Sequence, residues 1–459
     1  MKLAIVGAGW AGIAAAVEAV ECGHHVTLFE GTRQLGGRAR ALACVRPDGV
    51  PLALDNGQHI LIGAYSAALE LMQRVGVKLE RDLLAVPLSM PYPDGSGLQT
   101  PAWAAGWPAP LNAIAAIATA RGWTWSERWA LVRHSLGWQL DAFKAAPGAS
   151  VAQVCQGMPL RVMQELIEPL CVSALNLPAS LACGQVFLNV MRDALFGKGF
   201  GGLAASALLL PRADLSALFP AQAAEWLNAH FPTTTELRLG TRVLSITPAA
   251  TGWELHGDGW SENFDQVIWA TAAAPAALAM VQAAASASAA GKATTAQALT
   301  DWAQTARALQ HTAITTVYAW ASDARLAHPM LALRPEPDAQ QSPAQFVFDR
   351  GQLFPNDPAM RGVLAFVISA SVGEREDLQA RVLEQGRRAL GLAQLQAVQT
   401  VVEKRATFAC TPGLVRPPQR IAPGLLAAGD FVAGPYPATL EAAVRNGRSA
   451  VLALNTPSS

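Results

Sequence analysis

The sequence predicts an α/β fold built from two interleaved domains, and three observations lead to this prediction. Residues 3–6 form a short apolar run before a glycine-rich loop and a helical pattern, which is typical of the first strand of a parallel sheet. Strand-like runs return from about residue 236, and a last apolar run covers residues 425–428. A Rossmann-like domain is therefore predicted for residues 1–86, 232–300 and 412–459. An α+β substrate domain is predicted for the stretches between them, residues 87–231 and 301–411.

The loop after the first strand has the spacing G-x-G-x-x-G. In a dinucleotide site the first glycine makes the tight turn, the second admits the pyrophosphate, and the third lets helix and strand pack closely. The start of the next helix offers free N–H groups and the positive end of its dipole to phosphate. An acid stands close to the expected distance beyond the glycines, where it accepts hydrogen bonds from ribose. The first predicted cofactor contacts are therefore Gly7, Gly9, Trp10, Ala11, Gly12 and Glu30.

The residues that follow this acid indicate which dinucleotide is bound. Gly36, Gly37 and Arg38 provide a second close backbone approach together with a cation for phosphate. A simple NAD dehydrogenase has no need of this second loop, whereas FAD enzymes with a glutathione-reductase-like or amine-oxidase-like fold usually carry it. The predicted cofactor is FAD.

The C-terminal section is predicted to return to the cofactor. An apolar strand ends in Gly429 and Asp430, and an acid at a strand end can bind the ribityl hydroxyls or lie near phosphate. A helix begins near Thr439 and Leu440, and its N-terminus can stabilise the negative charge that collects on the flavin pyrimidine on reduction. A capped surface helix is the alternative, which the N-terminal loops make less attractive.

A strand, a polar break and a second apolar run occupy residues 52–65. Such an arrangement beside the cofactor loops is where a flavin ring can lie. Gly57, Gln58 and His59 are therefore added to the predicted cofactor contacts. Ser66 is predicted to cap the helix that follows.

The composition excludes several other classes of protein. Lysine and arginine number 34, as do aspartate and glutamate, so the chain has no electrostatic footprint for nucleic acid. The six cysteines contain no C-x-x-C pair and the eight histidines no H-E-x-x-H motif, so no metal site is predicted. Hydrophobic residues make up 51% of the chain and tryptophans number 13, which favours an apolar ligand.

The N-terminus resembles a signal peptide, because Lys2 precedes an apolar run and small residues. Its glycines stand where a phosphate loop needs them, and Glu18 and Glu21 follow, so we expect it to be retained in a cytoplasmic protein. Residues 95–120 and 270–291 are long and uncharged, but neither is apolar enough to span a membrane.

Tryptophans are frequent between residues 91 and 143, where Ser126 is predicted to cap a helix. The apolar face of this helix consists of Trp129, Val132, Leu136, Leu140 and Phe143. Core packing is the default interpretation of this stripe. The alternatives are the wall of a long apolar pocket or a surface that rests on a membrane, where tryptophan is favoured.

Three stretches of the sequence are similar to one superfamily of flavoproteins. They are AIVGAGWAGIAAAVEAVECGHHVTLFEGTRQLGGRAR, LDNGQHILIGAYSAALELMQRVGV and AGDFVAGPYPATLEAAVRNGRSA. They resemble the flavin amine-oxidase/phytoene-desaturase superfamily and, within it, the squalene-associated FAD-dependent desaturases, also described as hydroxysqualene dehydroxylases. GQHILIGAY is similar to the G-x-H-x-x-x-G-A-Y segment of plant-type phytoene and zeta-carotene desaturases, so it points to polyisoprenoid substrates.

The resemblance implies an FAD-dependent oxidoreductase of hopanoid biosynthesis that converts hydroxysqualene to squalene. A general acid would help the allylic alcohol lose water, and reduced flavin would deliver hydride to the resulting cation. His59 is the candidate acid because histidine titrates near neutrality, while a structural histidine bonded to backbone fits the sequence as well. Asp55 and Tyr65 are the alternatives, and Asp55 is expected to stabilise the turn at Asn56 and Gly57.

The resemblance also implies partners and one further contact. The substrate is an apolar C30 isoprenoid, and the electron donor is not identified by the sequence. A substrate that lives in lipid favours peripheral contact with the inner face of the membrane. In flavoproteins with two dinucleotide domains a returning segment meets the adenine through its backbone, and Val243 is assigned this position.

Three rival functions remain open on the sequence. A carotenoid-type desaturase would use oxidised flavin and an electron acceptor on a similar long substrate. An amine oxidase often carries an aromatic cage beside the flavin, for which Tyr436 is the obvious candidate. Rab GDP-dissociation inhibitors share the fold and bind prenyl groups without flavin catalysis, but the intact glycine loop and Glu30 argue against such a carrier.

Overall fold

The computed structural model describes residues 1–107, 110–334 and 342–454. Its central feature is a six-stranded sheet in which five neighbouring strands are parallel and one edge strand is antiparallel. Across the sheet the order is Thr235–Leu239, His25–Glu30, Lys2–Val6, Gln266–Trp269, Leu425–Ala427 and Arg420–Ala422. The first strand thus lies between partners from distant parts of the chain. This is the Rossmann-like α/β sheet that the sequence predicts.

Two helices pack against each other over this sheet. Helix Trp10–Glu21 follows the first strand, and helix Leu440–Leu454 lies along it. The two backbones approach closely because Gly447 has no side chain: a Cβ at this position would stand 2.2 Å from the carbonyl oxygen of Ala11. The glycine loop is therefore backed by a segment more than 400 residues later in the sequence.

Helix Ser66–Arg74 receives its N-terminal cap from a distant residue. The backbone N–H groups of Ala67 and Ala68 donate to the buried carboxylate of Glu441, at 3.1 and 2.8 Å. Ser66, predicted to be the cap, is instead the first helical residue, and its side chain caps nothing. That prediction is wrong because an acceptor from elsewhere in the fold satisfies the free N–H groups.

A five-stranded antiparallel sheet forms a second layer. Its order is Met330–Ala332, Phe346–Asp349, Val363–Ile368, His311–Trp320 and Gln396–Phe408. The two longest strands pair with irregularities in register, and helix Arg375–Leu390 packs against them through Leu378 and Val382. The other face of the sheet turns apolar residues towards the cavity described below.

The remaining elements connect these two sheets. The other strands are Ala41–Val45, Pro51–Asp55, Leu61–Ile62, Leu83–Val86, Ser89–Pro91, Gly97–Gln99, Leu208–Pro211, Ser245–Pro248, Trp253–Gly257 and Trp260–Phe264. The other α-helices are Leu79–Asp82, Leu111–Thr119, Trp125–Leu140, Val151–Val154, Leu160–Val162, Glu168–Leu175, Gly184–Phe196, Leu215–Leu218, Pro220–His230, Ala273–Ala289, Ala293–Arg307 and Arg350–Leu353. Short 3-10 turns cover Ala102–Ala104 and Pro358–Met360, and a π-helical segment covers Met163–Ile167.

Several boundaries differ from the sequence-based expectation. The sequence pattern predicts one strand over residues 241–247, but the observed strand is Ser245–Pro248. Residues 241–244 pass beside the end of a parallel strand instead. Strand Trp260–Phe264 was not predicted, because three consecutive polar residues separate its two aromatic ends. Leu215, Phe219 and Leu227 pack into the same apolar cluster as the glycine-loop helix, whereas Leu210 packs into a second cluster.

The predicted tryptophan stripe differs most from its default interpretation. Helix Trp125–Leu140 is capped by Thr124 and not by Ser126, since the Thr124 side chain and Glu127 form a reciprocal capping box. Trp129 and Leu136 are exposed, and the side chains that face the core are Leu131 and Trp138. The core assignment is therefore wrong for Trp129, Leu136 and Leu140, whereas Phe143, just after the helix, is buried as expected. No helix among the described residues is both long and apolar enough to cross a bilayer.

Candidate active site

A cavity of about 600 Å³ opens at the carboxyl ends of the parallel strands. Gly7, Glu30, Ala270 and Gly429 line it, and each stands at or directly after the end of a different strand of the central sheet. This edge is where open parallel sheets bind their ligands.

Each of the three loop glycines is required for a different steric reason. Gly7 has φ +107°, and a Cβ there would stand 2.8 Å from the carbonyl oxygen of Ala270. A Cβ on Gly12 would stand 1.8 Å from the carbonyl oxygen of Gly7, so this position holds helix and loop together. Gly9 lines the cavity, and a Cβ there would meet no atom within 4 Å. The space over Gly9 is thus a cradle that any side chain would fill, as a pyrophosphate site requires.

Glu30 lies in the cavity wall, held by the backbone. Its Oε2 accepts from the N–H of Ala8 at 2.9 Å, and its Oε1 accepts from the N–H of Thr32 at 2.9 Å. A carboxylate has lone pairs beyond these two bonds, so Glu30 can still accept from ribose hydroxyls. The position agrees with the role predicted for it.

The second glycine loop crosses the first. The N–H of Gly36 donates to the carbonyl oxygen of Ala8 at 2.9 Å, and both Gly36 and Gly37 have positive φ. Arg38 follows, and its Nη2 lies 2.6 Å from Oδ1 of Asp430. The Asp430 carboxylate raises the pKa of Arg38, which remains a cation. Two residues predicted separately as cofactor contacts, 392 positions apart, therefore meet in one ion pair.

Gly57, Gln58 and His59 line the cavity, and their contact with the flavin stays a prediction. His59 Nδ1 lies 2.8 Å from the carbonyl oxygen of Gly57, which can only accept, so Nδ1 carries the proton. Burial lowers the pKa of His59 below its ordinary value of 6.5. The neutral ring therefore holds a lone pair on Nε2, and the imidazolium form is a stronger acid than a solvated histidine.

The two alternative candidates for the general acid, Asp55 and Tyr65, are less suitable than His59. Asp55 is buried, and its carboxylate accepts from the N–H of Leu215 at 2.8 Å and from Arg350 at 2.9 Å. The sequence suggested that Asp55 stabilises the turn at Asn56, and this prediction is wrong because its carboxylate is bound to Leu215 and Arg350. Tyr65 lines the cavity, and burial raises its pKa, so it stays a neutral phenol.

Part of the cavity wall is apolar. Side chains from a loop, a helix and the antiparallel sheet form it, namely Ile60, Ala174, Ile314, Phe346, Phe348 and Val367. Sequence reasoning missed these residues, because an apolar residue in a strand has the same pattern whether it faces a core or a ligand. A hydrocarbon fits this part, since no charged side chain is among those six.

Polar residues of the cavity were also missed, among them Asn176 and Glu403. Asn176 ends helix Glu168–Leu175 in a left-handed conformation, and its Nδ2 donates to Thr312 and Thr407 at 2.8 and 2.9 Å. An asparagine after a helical pattern is the signal that could have located it. Glu403 places a second carboxylate in the cavity wall, 3.2 Å from Nδ2 of Asn56.

The remaining predicted contacts divide into two groups. Trp10, Ala11, Thr439 and Leu440 line the cavity, and Thr439 caps its helix by accepting from the N–H of Ala442 at 3.0 Å. Val243 is not in the cavity wall and packs against the apolar cluster that contains Phe29.

Comparison with known proteins agrees with this site. The sequence profile of the family described as flavin containing amine oxidoreductase matches residues 10–455. Zeta-carotene desaturase of Synechocystis sp. is 41% identical over 78 residues, which are 17% of this chain and 15% of that protein. Hydroxysqualene dehydroxylase of Rhodopseudomonas palustris is 26% identical over 262 residues, 53% of this chain and 54% of that protein. Each match spans less than two thirds of the relative's own length.

Solved structures show the same fold over the whole length. An oxidoreductase from Methanosarcina mazei superposes with a TM-score of 0.69 at 16% identity, covering 99% of this chain and 100% of that one. At this level of identity the likeness concerns the fold alone.

Proposed function

Because this chain belongs to the flavin-containing amine oxidoreductase family and is an FAD-dependent oxidoreductase, we propose that its reaction is the reductive removal of hydroxyl from hydroxysqualene. The product is squalene, and the step belongs to hopanoid biosynthesis. The observation that carries the proposal is that one cavity combines a titratable side chain with apolar ones. The imidazole of His59 lines the same cavity as the rings of Phe346 and Phe348.

The glycine loop, Glu30 and the Arg38–Asp430 pair would hold the FAD. When reduced, FAD supplies the hydride. The substrate exchanges its C–O bond for a C–H bond, and its oxygen leaves as water once a proton has been added. Each turnover therefore consumes one proton and one hydride, and an external two-electron reductant must restore the flavin.

The protein's own residues have three tasks in this scheme. His59, held by the carbonyl oxygen of Gly57, would pass its Nε2 proton to the leaving hydroxyl. The rings of Phe346 and Phe348 would place the hydrocarbon and face the allylic cation, which aromatic faces stabilise. The apolar wall also excludes water, which would otherwise capture the cation.

The test is product analysis with the purified holoprotein. Hydroxysqualene is added anaerobically after reduction of the flavin with dithionite, and squalene is measured by gas chromatography and mass spectrometry. Squalene formed in proportion to flavin oxidised is the expected result. Reduced flavin that stays reduced beside unchanged hydroxysqualene overturns the proposal.

A carotenoid-type desaturase is the second candidate, favoured by one observation in the site. Burial lowers the pKa of His59, so at neutral pH the ring is mostly neutral and suited to accept a proton. Desaturation removes a hydride and a proton from the substrate, whereas dehydroxylation needs a proton donor. Incubation of the oxidised holoprotein with zeta-carotene and a quinone acceptor separates the two, because only a desaturase adds a double bond.

An amine oxidase is less well supported. Tyr436, the residue considered for an aromatic cage, donates its hydroxyl to Asp193 at 2.6 Å and packs over Arg445. It does not line the cavity. The aromatic rings that do line it include Phe346 and Phe348, which suit a hydrocarbon better than an amine.

A further inference from the structure

Helix Trp125–Leu140 turns an apolar stripe away from the protein. Trp125 is 75% exposed, Trp129 67% and Leu140 87%, and Leu136 is exposed between them. Their spacing places all four on one face of the helix, opposite the buried Leu131 and Trp138. Large apolar side chains at this exposure are common singly, but a continuous stripe of them marks an interaction site.

Neighbouring elements continue the stripe. Helix Leu111–Thr119 packs against helix Trp125–Leu140 and exposes Leu111 and Ile114 on one face. Trp103 in the preceding 3-10 turn and Trp107 just after that turn are two more exposed indoles, and their ring centroids are 5.0 Å apart. We call this set the tryptophan surface; it consists of Trp103, Trp107, Leu111, Ile114, Trp125, Trp129, Leu136 and Leu140.

The charges among these residues are mainly positive. Residues 103–144 contain four arginines and lysines (Arg121, Arg128, Arg133 and Lys144) but only two acids (Glu127 and Asp141), a net charge of +2 in a chain whose net charge is zero. Glu127 is engaged, because it accepts from Thr124 and lies 3.6 Å from Arg161. Arg128 stacks over the Trp125 ring at 4.7 Å, so cation and indole lie together at the surface.

We propose that the tryptophan surface docks on a lipid bilayer that contains anionic lipid. Indole and leucine side chains flanked by arginine are the residues that rest in the interfacial layer of a membrane. A second copy of the chain suits the surface less well. A two-fold interface would place Arg133 and its neighbours opposite the same positive charges, which is unfavourable without acids to pair them.

One apolar cluster connects the tryptophan surface with the cavity wall. Buried residues beneath the surface, Trp123 and Leu131, belong to the same apolar cluster as Phe346 and Phe348 in the cavity wall. Docking would thus hold the apolar part of the cavity wall near the lipid phase. This purpose rests on the proposed function, while the docking itself rests on the exposed side chains and their charge.

Vesicle sedimentation tests the proposal with the FAD-loaded full chain. The vesicles contain phosphatidylcholine and phosphatidylglycerol in equal parts and no isoprenoid. The double variant Trp125→Ser, Trp129→Ser is expected to partition at least about tenfold more weakly than wild type, because two large apolar side chains no longer enter the interface. Val372→Ser with Val415→Ser, two exposed apolar residues outside the surface, should bind as wild type does. Arg133→Glu should weaken binding to these vesicles but not to pure phosphatidylcholine.

Three results would overturn the proposal. They are no wild-type binding to the vesicles, equal binding by the tryptophan variant, and a wild-type dimer in light scattering that the tryptophan variant dissociates. The flavin absorption band and turnover of detergent-dispersed hydroxysqualene should be unchanged in the variant, which shows that it is folded. If wild type binds vesicles but forms no squalene, the proposed function fails while the docking surface stands.

Discussion

Arg350 and Asp55 form an ion pair out of reach of solvent: Nη1 lies 2.9 Å from Oδ2, and the two residues are 295 positions apart. The same Nη1 donates to the side-chain oxygen of Gln58 at 3.0 Å. The guanidinium also stacks over Phe354 at 4.4 Å. The antiparallel sheet is thereby joined to the segment that carries His59, so the pair fixes the position of the candidate acid.

Arg350→Ala is expected to lower the free energy of unfolding by about 3–5 kcal/mol, because it leaves the Asp55 carboxylate buried without its cation. Urea denaturation followed by circular dichroism measures the loss. Arg81→Ala is the control, since Arg81 pairs with Asp82 while 74% exposed, and this substitution should leave the free energy of unfolding close to that of wild type. Similar losses of unfolding free energy in the two variants would show that the buried pair contributes no more to stability than the exposed one.

Substitutions at two loop glycines are expected to have different effects, one on flavin binding and one on stability. Gly9→Val is expected to leave the chain folded but to lower flavin content, because the new side chain enters the cavity and meets no protein atom. Gly12→Ala should destabilise the protein itself, since its Cβ would stand 1.8 Å from the carbonyl oxygen of Gly7. Flavin absorbance per chain and thermal unfolding measure the two effects. Gly137→Val, at a helix position with open space and outside the cavity wall, should retain its flavin. Full flavin content in Gly9→Val would contradict the dinucleotide site.

The pH dependence of the single-turnover rate should report on His59. If the imidazolium donates the proton, the rate rises as pH falls through a pKa below 6.5, because burial lowers the pKa of this ring. A desaturase that uses the neutral ring as a base shows the opposite slope. His59→Gln should remove this pH dependence. Glu403→Gln, which changes a carboxylate in the same cavity wall, is the control and should retain it. A dependence that persists in His59→Gln assigns the proton to another group.

The glycine loops could be located from the sequence because their chemistry depends on local order. A strand, a fixed glycine spacing and an acid at a set distance are all read within forty residues. The contacts of Glu30 and Gly36 then follow from the same short segment. FAD and the parallel sheet were predicted on this basis, and the structure and the comparisons confirm both.

The rest could not be read because it depends on which distant segments meet. Asp55 looked like a turn residue until Arg350 and Leu215 proved to be its partners. Ser66 looked like a cap, but Glu441 fills that role from elsewhere in the chain. The apolar period of helix Trp125–Leu140 marks a stripe without telling which side of it faces the solvent. Local patterns contain no information on such pairings.

The first strand pairs on one side with Gln266–Trp269, a strand from far along the chain, and this pairing has a consequence for biosynthesis. The glycine loop leaves the ribosome early, yet the helix that covers its back, Leu440–Leu454, emerges hundreds of residues later. A nascent chain therefore exposes an unfinished nucleotide cradle for most of its synthesis. Flavin capture by the completed cradle therefore follows translation of that helix.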